Sequence, residues 1–550
     1  MTDQSTKITA TRGLELRCKG WRQEAILRML ENNLENAERP EDLMIYMSRA
    51  KAARDWNAYG KIEKALMAMD TNQTLVMQSG KPVGLFPTQE TTPIVIMANG
   101  NLVGRWTEVA KRRNLEDAGL TIFPGMTAAA WQYIGSQGIL QGTYETFKTV
   151  GRHHFDGSMA GRWIVTAGCG GMGGAQGLAG KLAGAVTLVI DVNRAALERR
   201  LNSGYLDVIV DDLESALEIC NDHIARKTGA AIGLCANVAD ILTTLIQRNI
   251  TPDVVTDQTE PDAYRGYVPQ GMSVEQCLHA RKADPEALAA AANKTMLTHF
   301  RALLTLRARG AVFFEYGNNF RSVVSQLGEE RAFEIDSFVK AYIRPLFCKG
   351  IGPFRWIAAS GNPDDIAFID DLILQNFAPE TPIAQWINVA RDHVQHTGLP
   401  ARIGWLGFGE RSKLAGLVNE AVRDGRVTGP VCFTRDHLDS GSAALPFRET
   451  DGMKDGSDAV ADWPLLNALL NASAGADLVA IHEMDDWARC AGVTLVADGS
   501  DCAARRIQNV LDCDPGIGIA RHADAGYESA LELLMSPSYT RRIIPATAIE

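Results

Sequence analysis

Nowhere in the chain do eighteen or more apolar residues follow one another, which leaves no helical segment long enough to span a bilayer. The first ten residues, Met1 to Ala10, are polar and lack the apolar centre of a secretory signal, so a cytoplasmic protein is expected. Paired cysteines are missing too. The ten cysteines are scattered, none forms a CxxC pair, and none stands at zinc-ligand spacing from histidine. Reduced thiols follow, with no metal site expected. The adjacent His153 and His154 read as a solvated pair on a loop. Positive charge is not in excess. A formal net charge of −11 argues against general binding to nucleic acid or to an anionic membrane. Internal repeats, low-complexity tracts and long linkers are also lacking.

What is present is ordinary globular material, 46% hydrophobic and 22% charged over 550 residues. At ~150 residues per domain, two to four domains fit. Trp21, Ala25, Met29, Leu30 and Leu34 recur at near-helical spacing, predicting an amphipathic helix over 21–37 that Pro40 breaks. Residues 94–98 predict a short buried strand, turned by Asn99-Gly100. From about 160 to 345, apolar runs alternate with helical stretches: Trp163 to Ala167, Val186 to Ile190, Val208 to Val210, Ala231 to Leu234, Val254-Val255 and Ala311 to Phe314. That rhythm predicts a parallel sheet with crossover helices. Beyond it come a strand over 403–406 and helices near 412–424 and 464–472. The fold class read from this is α/β. A Rossmann-like nucleotide-binding domain over 141–344 is inserted in a larger discontinuous α/β core made of 1–140 and 345–550.

The first strand of the insert runs into Gly168-Cys169-Gly170-Gly171-Met172-Gly173, a GxGxxG turn before a helix. Glycine is needed there because the chain must turn tightly and bring backbone N–H groups to a pyrophosphate, which the helix N-terminus favours further. A lone GxGxxG is weak, but the next strand ends in Asp191, about 20 residues on. A carboxylate there accepts from ribose hydroxyls and repels a 2′-phosphate, so NAD+ is favoured over NADP+. The alternative is a Gly-rich turn that merely packs helix on strand. The fold alone does not decide the chemistry.

Long collinear stretches do. Trp21 to Leu34, Phe86-Pro87-Thr88, Met97 to Trp106 and Tyr133 to Ile139 are among them. So are Asp257-Gln258-Thr259, Tyr316-Gly317-Asn318-Asn319, Tyr342 to Cys348, Arg435-Asp436-His437-Leu438-Asp439-Ser440-Gly441-Ser442 and Asp462 to Asn471. Together they resemble the urocanase (urocanate hydratase) family from about residue 13 to 530. The resemblance implies an enzyme, a hydro-lyase with an inserted NAD+ domain, and a homodimer. It also implies that the imidazole ring of the substrate adds to the nicotinamide in a transient covalent adduct. Water then adds to give an imidazolone propionate, and NAD+ is regenerated.

Beside Gly168 and Gly170 of the GxGxxG turn, the resemblance, carried over residue by residue, places the cofactor on Gly171, Met172, Gly173, Asp191, Asn237, Gln258, Thr259, Tyr267 and Tyr316. Asp191 stands where the family usually has glutamate. Arg355 corresponds to an arginine expected to grip the substrate carboxylate bidentately; a structural salt bridge is the other reading. Asp436 corresponds to the proposed acid/base, with His437 beside it. Carboxylates flanking a histidine can push each other's pKa apart; the alternative is a buried polar network, with Asp439 and His437 as members, that holds a turn. Tyr46 corresponds to an active-site tyrosine that could donate to the imidazole, against a core aromatic.

Departures from the family pattern cluster near these positions: Tyr46-Met47-Ser48, Phe123-Pro124-Gly125, Gln258-Thr259-Glu260-Pro261, Gly404 in place of a cysteine, and a loop from Glu483 through Asp485, Asp486 and Trp487 to Cys490 in place of a Gly-rich one. Gly404 is expected to open volume near the substrate ring. The expected substrate is therefore an imidazole acrylate enlarged at the ring, a thio-, S-methylthio- or N-methyl-urocanate. The alternatives are an ordinary urocanate hydratase, an NAD-dependent dehydrogenase, and a non-catalytic NAD-binding protein.

Overall fold

The computed structural model describes residues 8–47, 49–484, 488–546 and 549; Ser48, Asp485, Asp486 and Trp487 lie outside the described residues. The chain forms two compact units. One holds the residues up to Gly138, Arg344–Asp392 and those from His396 onward; the other holds Ile139–Ile343 and His393–Gln395. All ten cysteines stand as free thiols. No helix among the described residues is long and apolar enough to cross a membrane.

The second unit is built on six parallel strands. Their spatial order is Val312–Phe313, Val254–Val255, Trp163–Ala167, Val186–Asp191, Ala230–Cys235 and Val208–Val210. The predicted strands match these within a residue or two. Branched apolar runs such as Val186–Ile190 are buried throughout, as a sheet covered on both faces requires. Chain order reverses between Trp163–Ala167 and Val254–Val255. This is the topological switch point, where crevices open at the carboxyl ends of parallel strands. His153 and His154 end the helix Leu140–His154 instead of occupying a loop. His154 Nε2 lies 3.2 Å from the Tyr342 hydroxyl.

The first unit carries a nine-stranded mixed sheet. Its path runs Ala401–Leu406, Gly352–Ala358, Val431–Arg435, Ala488–Ala497, Leu478–Met484, Val95–Asn99, Gln73–Gln78 and Lys81–Pro87, with Ala443–Ala444 paired beside Ala488–Ala497. The helix Trp21–Glu35 forms where the spacing predicts, but it is not amphipathic: every residue from Arg22 to Leu34 is buried. Its charged groups are neutralised in place. Arg28 Nε bonds Glu24 at 2.8 Å, and Arg22 Nε pairs with Asp477 at 2.5 Å. A charged face therefore enters the core, because each charge meets a partner there. The helix ends at Glu35, and Pro40 opens a separate short turn, Pro40–Asp42.

Candidate active site and nucleotide edge

Strand Gly352–Ala358 is buried at every position. Arg355 pairs in register with Ile403 on one side and Thr434 on the other, so these three share a face; Phe354, Gly404 and Arg435 form the neighbouring row. Side chains alternate along a strand, and Gly404 therefore lies on the face opposite Arg355. The expectation that Gly404 opens volume by the substrate ring is corrected. A Cβ there would lie 2.4 Å from Ile383 Cδ1 and 2.6 Å from Trp356 Cη2. Glycine makes room for an indole, and the space is filled.

Arg435, the last residue of its strand, faces helix Asp501–Asp524. Its Nε donates to Asp514 Oδ2 at 2.8 Å, and its Nη2 to Asn467 Oδ1 at 2.6 Å. Arg411 Nη1 joins Asp439 at 2.7 Å and Asp514 at 3.4 Å. Burial alone would raise the Asp514 pKa, but Arg435 and Arg411 hold it down at about 2. Asp439 thus belongs to the network that braces the turn. His437 does not.

The turn presents Asp436 and His437. Asp436 Oδ2 pairs with Arg355 Nη2. Arg355 also donates to Gln132 O at 2.9 Å and to Gly138 O at 3.1 Å. Both ends of the guanidinium fork are therefore engaged, which leaves only Nε without a partner. Asp436 Oδ1 and both ring nitrogens of His437 have no hydrogen-bond partner among the described residues, although His437 is 0% and Asp436 4% exposed. Buried polar atoms are normally satisfied. Three open ones on consecutive residues make a site built to meet something polar. Burial, His482 and the guanidiniums of Arg435 and Arg355 push the His437 pKa well down, so the ring is neutral, with one donor and one acceptor.

Tyr46 ends a short ribbon strand, Met44–Tyr46. Its hydroxyl oxygen accepts from the N–H groups of Met126 and Thr127, both at 2.8 Å, and of Ala128 at 3.3 Å, with Thr127 Oγ1 at 3.1 Å. Burial pushes its pKa up. These contacts pin segment 126–128, and the phenol is occupied in doing so.

The residues that reading motifs alone did not find are His482, Gly492 and Glu449. His482 stacks on His437 with ring centroids 4.5 Å apart and planes 25° apart. A Cβ on Gly492 would lie 2.2 Å from His437 Cε1, so the ring requires glycine there. Glu449 is buried, its pKa raised by burial and by Asp436, with Arg448 Nε 3.0 Å from Oε1. No motif in the sequence marks His482, which immediately precedes the departing stretch that begins at Glu483. The residues expected to form that loop, Glu483, Met484 and Ala488–Cys490, instead belong to the hairpin strands Leu478–Met484 and Ala488–Ala497. Glu483 is bound there by Arg112 Nη2 at 2.9 Å.

In the parallel-sheet unit, the expected cofactor residues gather at the carboxyl edge. Gly168 to Gly173 follow Trp163–Ala167, Asp191 ends its strand, Asn237 follows Ala230–Cys235, Gln258 and Thr259 follow Val254–Val255, and Tyr316 follows Val312–Phe313. Gly168 has φ +82°, and a Cβ on it would lie 2.4 Å from Gln258 O; one on Gly173 would lie 2.3 Å from Gly168 O. Only glycine permits this turn. Asp191 accepts from Cys169 N at 2.6 Å and Asn193 N at 2.8 Å, tying its strand end to the loop. The N–H groups of Gly170, Met172 and Gly173 make no hydrogen bond among the described residues, so this turn carries three open donors. Asn237 caps the next helix through Ala239 N at 3.0 Å and donates to Val268 O at 3.1 Å. The Tyr316 hydroxyl donates to Thr143 Oγ1 at 2.8 Å, and its ring stacks on Phe338 at 4.5 Å. Tyr267 is buried, its hydroxyl 3.2 Å from His299 Nδ1. His299 Nε2 lies 3.5 Å from Asp257. Asp257 in turn accepts from Asn318 Nδ2 at 2.6 Å and Thr259 Oγ1 at 2.7 Å. Burial drives the Asp257 pKa up to about 7 and that of His299 down to about 3.

A buried acid beside a histidine with both ring nitrogens open on one unit, and a glycine-rich turn at the carboxyl edge of a parallel sheet on the other, lead to the comparison with known proteins. Residues 8–132 match the urocanase N-terminal domain, residues 135–342 the urocanase Rossmann-like domain, and residues 345–536 the urocanase C-terminal domain. The chain belongs to the urocanase family, and its fold is α/β with a Rossmann-like domain inserted in a discontinuous core. It is 58% identical over 525 residues to the S-methyl thiourocanate hydratase of Variovorax sp. (strain JCM 16519 / RA8), covering 96% of each chain.

Proposed function

We propose that the protein is an NAD+-dependent hydratase that converts S-methyl thiourocanate to the corresponding imidazolone propionate. The observation that carries this reading is the full-length kinship to a hydratase of that name. The residues present fit the dinucleotide. The open N–H groups of Gly170, Met172 and Gly173 suit a pyrophosphate, and the Asp191 carboxylate suits a ribose. When bound, NAD+ supplies an electrophile that draws electrons from the substrate ring and is returned unchanged.

The chain's own residues do the rest. Arg355 pairs with Asp436 and fixes one of its oxygens. The free Oδ1 of Asp436 is the atom that moves a proton between water and substrate. His437, neutral and open at both nitrogens, accepts from and donates to the polar groups of the substrate or of the attacking water. Tyr46 sets the backbone of 126–128. Burial keeps bulk water away from all of them, which strengthens each electrostatic contact. The urocanase kinship also supports a homodimer in the cytoplasm, which native mass measurement and cell fractionation check.

The test is turnover of urocanate beside its 2-thio and S-methylthio analogues by purified protein whose dinucleotide content is measured. Efficient conversion of the S-methylthio compound without accumulation of NADH is expected. Conversion of plain urocanate alone would make the protein an ordinary urocanate hydratase, NADH accumulation would make it a dehydrogenase, and no turnover with bound dinucleotide would make it a non-catalytic binder.

A further inference from the structure

We infer that His482 is a positioning residue for His437, locked as a single neutral tautomer by Asn99 so that its ring face orients the His437 nitrogens toward the ligand; this rests on the hydratase reading above.

The lock follows from hydrogen-bond bookkeeping. Asn99 ends strand Val95–Asn99, directly in register with His482 on the neighbouring parallel strand. Asn99 Oδ1 accepts from Gly80 N at 2.9 Å, which turns the amide nitrogen toward His482. Asn99 Nδ2 lies 3.1 Å from His482 Nε2. An amide NH2 can only donate, so Nε2 must be the acceptor and the ring proton must sit on Nδ1. There it donates to Gly125 O at 3.1 Å. Both nitrogens are used, and protonating Nε2 as well would set its N–H against the Asn99 amide donor. Burial supports the same state, holding the His482 pKa down at about 4.

The face of this fixed ring carries His437 at 4.5 Å. The edge of His437 passes over Gly492, where any side chain would strike it. Held on one face by His482, and with neither ring nitrogen hydrogen-bonded among the described residues, the His437 ring owes its orientation to the stack. The charged and titratable groups bearing on the pair are few. Arg435 and Arg355 lower the His437 pKa; Asp436 is held by Arg355; Cys490 pairs in register with His482. Tyr46 lies against Gly125, its hydroxyl 2.9 Å from where a Cβ would stand.

The experiment compares the holoenzyme with Asn99→Asp and His482→Phe, reading kcat, KM, dinucleotide content and the pH profile of kcat. A carboxylate at 99 accepts where the amide donated, which favours an imidazolium beneath His437. Asn99→Asp should therefore lower kcat by about ten-fold or more, leave KM and bound dinucleotide close to the parent, and add a limb in which kcat recovers as pH rises. His482→Phe keeps a flat ring, and should lower kcat less and add no such limb. Unchanged kcat and profile in both variants would overturn the assignment. If Asn99→Asp does not fold, nitrogen-15 spectra of the histidine-labelled parent, assigned through His482→Phe, decide. A neutral Nδ1–H ring down to about pH 5 is expected, and an Nε2–H ring or titration near the ordinary value of about 6.5 would overturn the assignment. Absence of hydration by the parent itself would instead reject the hydratase reading.

Discussion

Removing the charge of Asp436 while keeping its shape separates its two roles. In Asp436→Asn, an amide replaces the carboxylate that faces Arg355, whose side chain is 2% exposed against 6% for its partner. Breaking a buried ion pair from one side costs about 3–5 kcal/mol, because the remaining charge is stranded. Arg355 retains Gln132 O and Gly138 O as acceptors, which places the expected loss near the lower end, about 3 kcal/mol. The chemical effect is separate. Loss of a positioned proton carrier costs about 10²–10⁴ in rate. The assay is hydration of S-methyl thiourocanate, with thermal melting and dinucleotide content measured on the same preparation. The expected protein melts lower, retains its dinucleotide and turns over at least about a hundred-fold more slowly. A double-mutant cycle with Arg355→Gln should show strong coupling. Parent-like turnover would remove Asp436 from the chemistry, and additive losses would refute the paired geometry.

Gly404→Cys should destabilise by about 1–3 kcal/mol through overpacking against Trp356 and Ile383. It should leave the ratio of kcat/KM for S-methylthio-urocanate over urocanate unchanged, and a changed ratio with parent-like melting would contradict the face assignment. Gly168→Ala and Gly173→Ala should each purify without dinucleotide, because a Cβ meets backbone at 2.4 and 2.3 Å; stoichiometric cofactor in either would count against the turn. Asp257, raised from 3.8 to about 7, binds its proton in the folded chain where the unfolded chain has released it. Stability of the parallel-sheet unit should therefore fall as pH rises from about 4 to about 7. Denaturation midpoints at both ends of that window should show this slope in the parent and a smaller one in Asp257→Asn.

Period and punctuation made the parallel sheet readable. Apolar runs of two to five residues between helical stretches encode the strands directly: Trp163 to Ala167 and Val208 to Val210 coincide with observed strands, the first buried throughout and the second half-buried at the sheet edge. The charged helix near the N-terminus was legible as a helix but not as a buried one, because Arg22 is neutralised by Asp477, distant in sequence. The same blindness applies to the site. Asp436 and His437 stood in a recognisable motif, but the ring beneath His437 comes from another strand and the glycine beside it from a third position. Gly404 shows a related limit: in the sequence a missing side chain looks like empty space, whereas an indole from the paired strand occupies it. Arg355 could be recognised, yet no motif discloses that its fork is already spent on Asp436 and two carbonyls.

The pairing of Arg22 with Asp477, and of strand Leu478–Met484 with Val95–Asn99, also bears on how the chain is made. Those partners leave the ribosome hundreds of residues apart. The larger unit must wait, its first helix and strands exposed, until nearly the whole polypeptide has emerged. The inserted unit has its strands in one continuous stretch and can mature earlier. A truncation that stops translation before residue 478 should release a folded insert flanked by protease-sensitive segments.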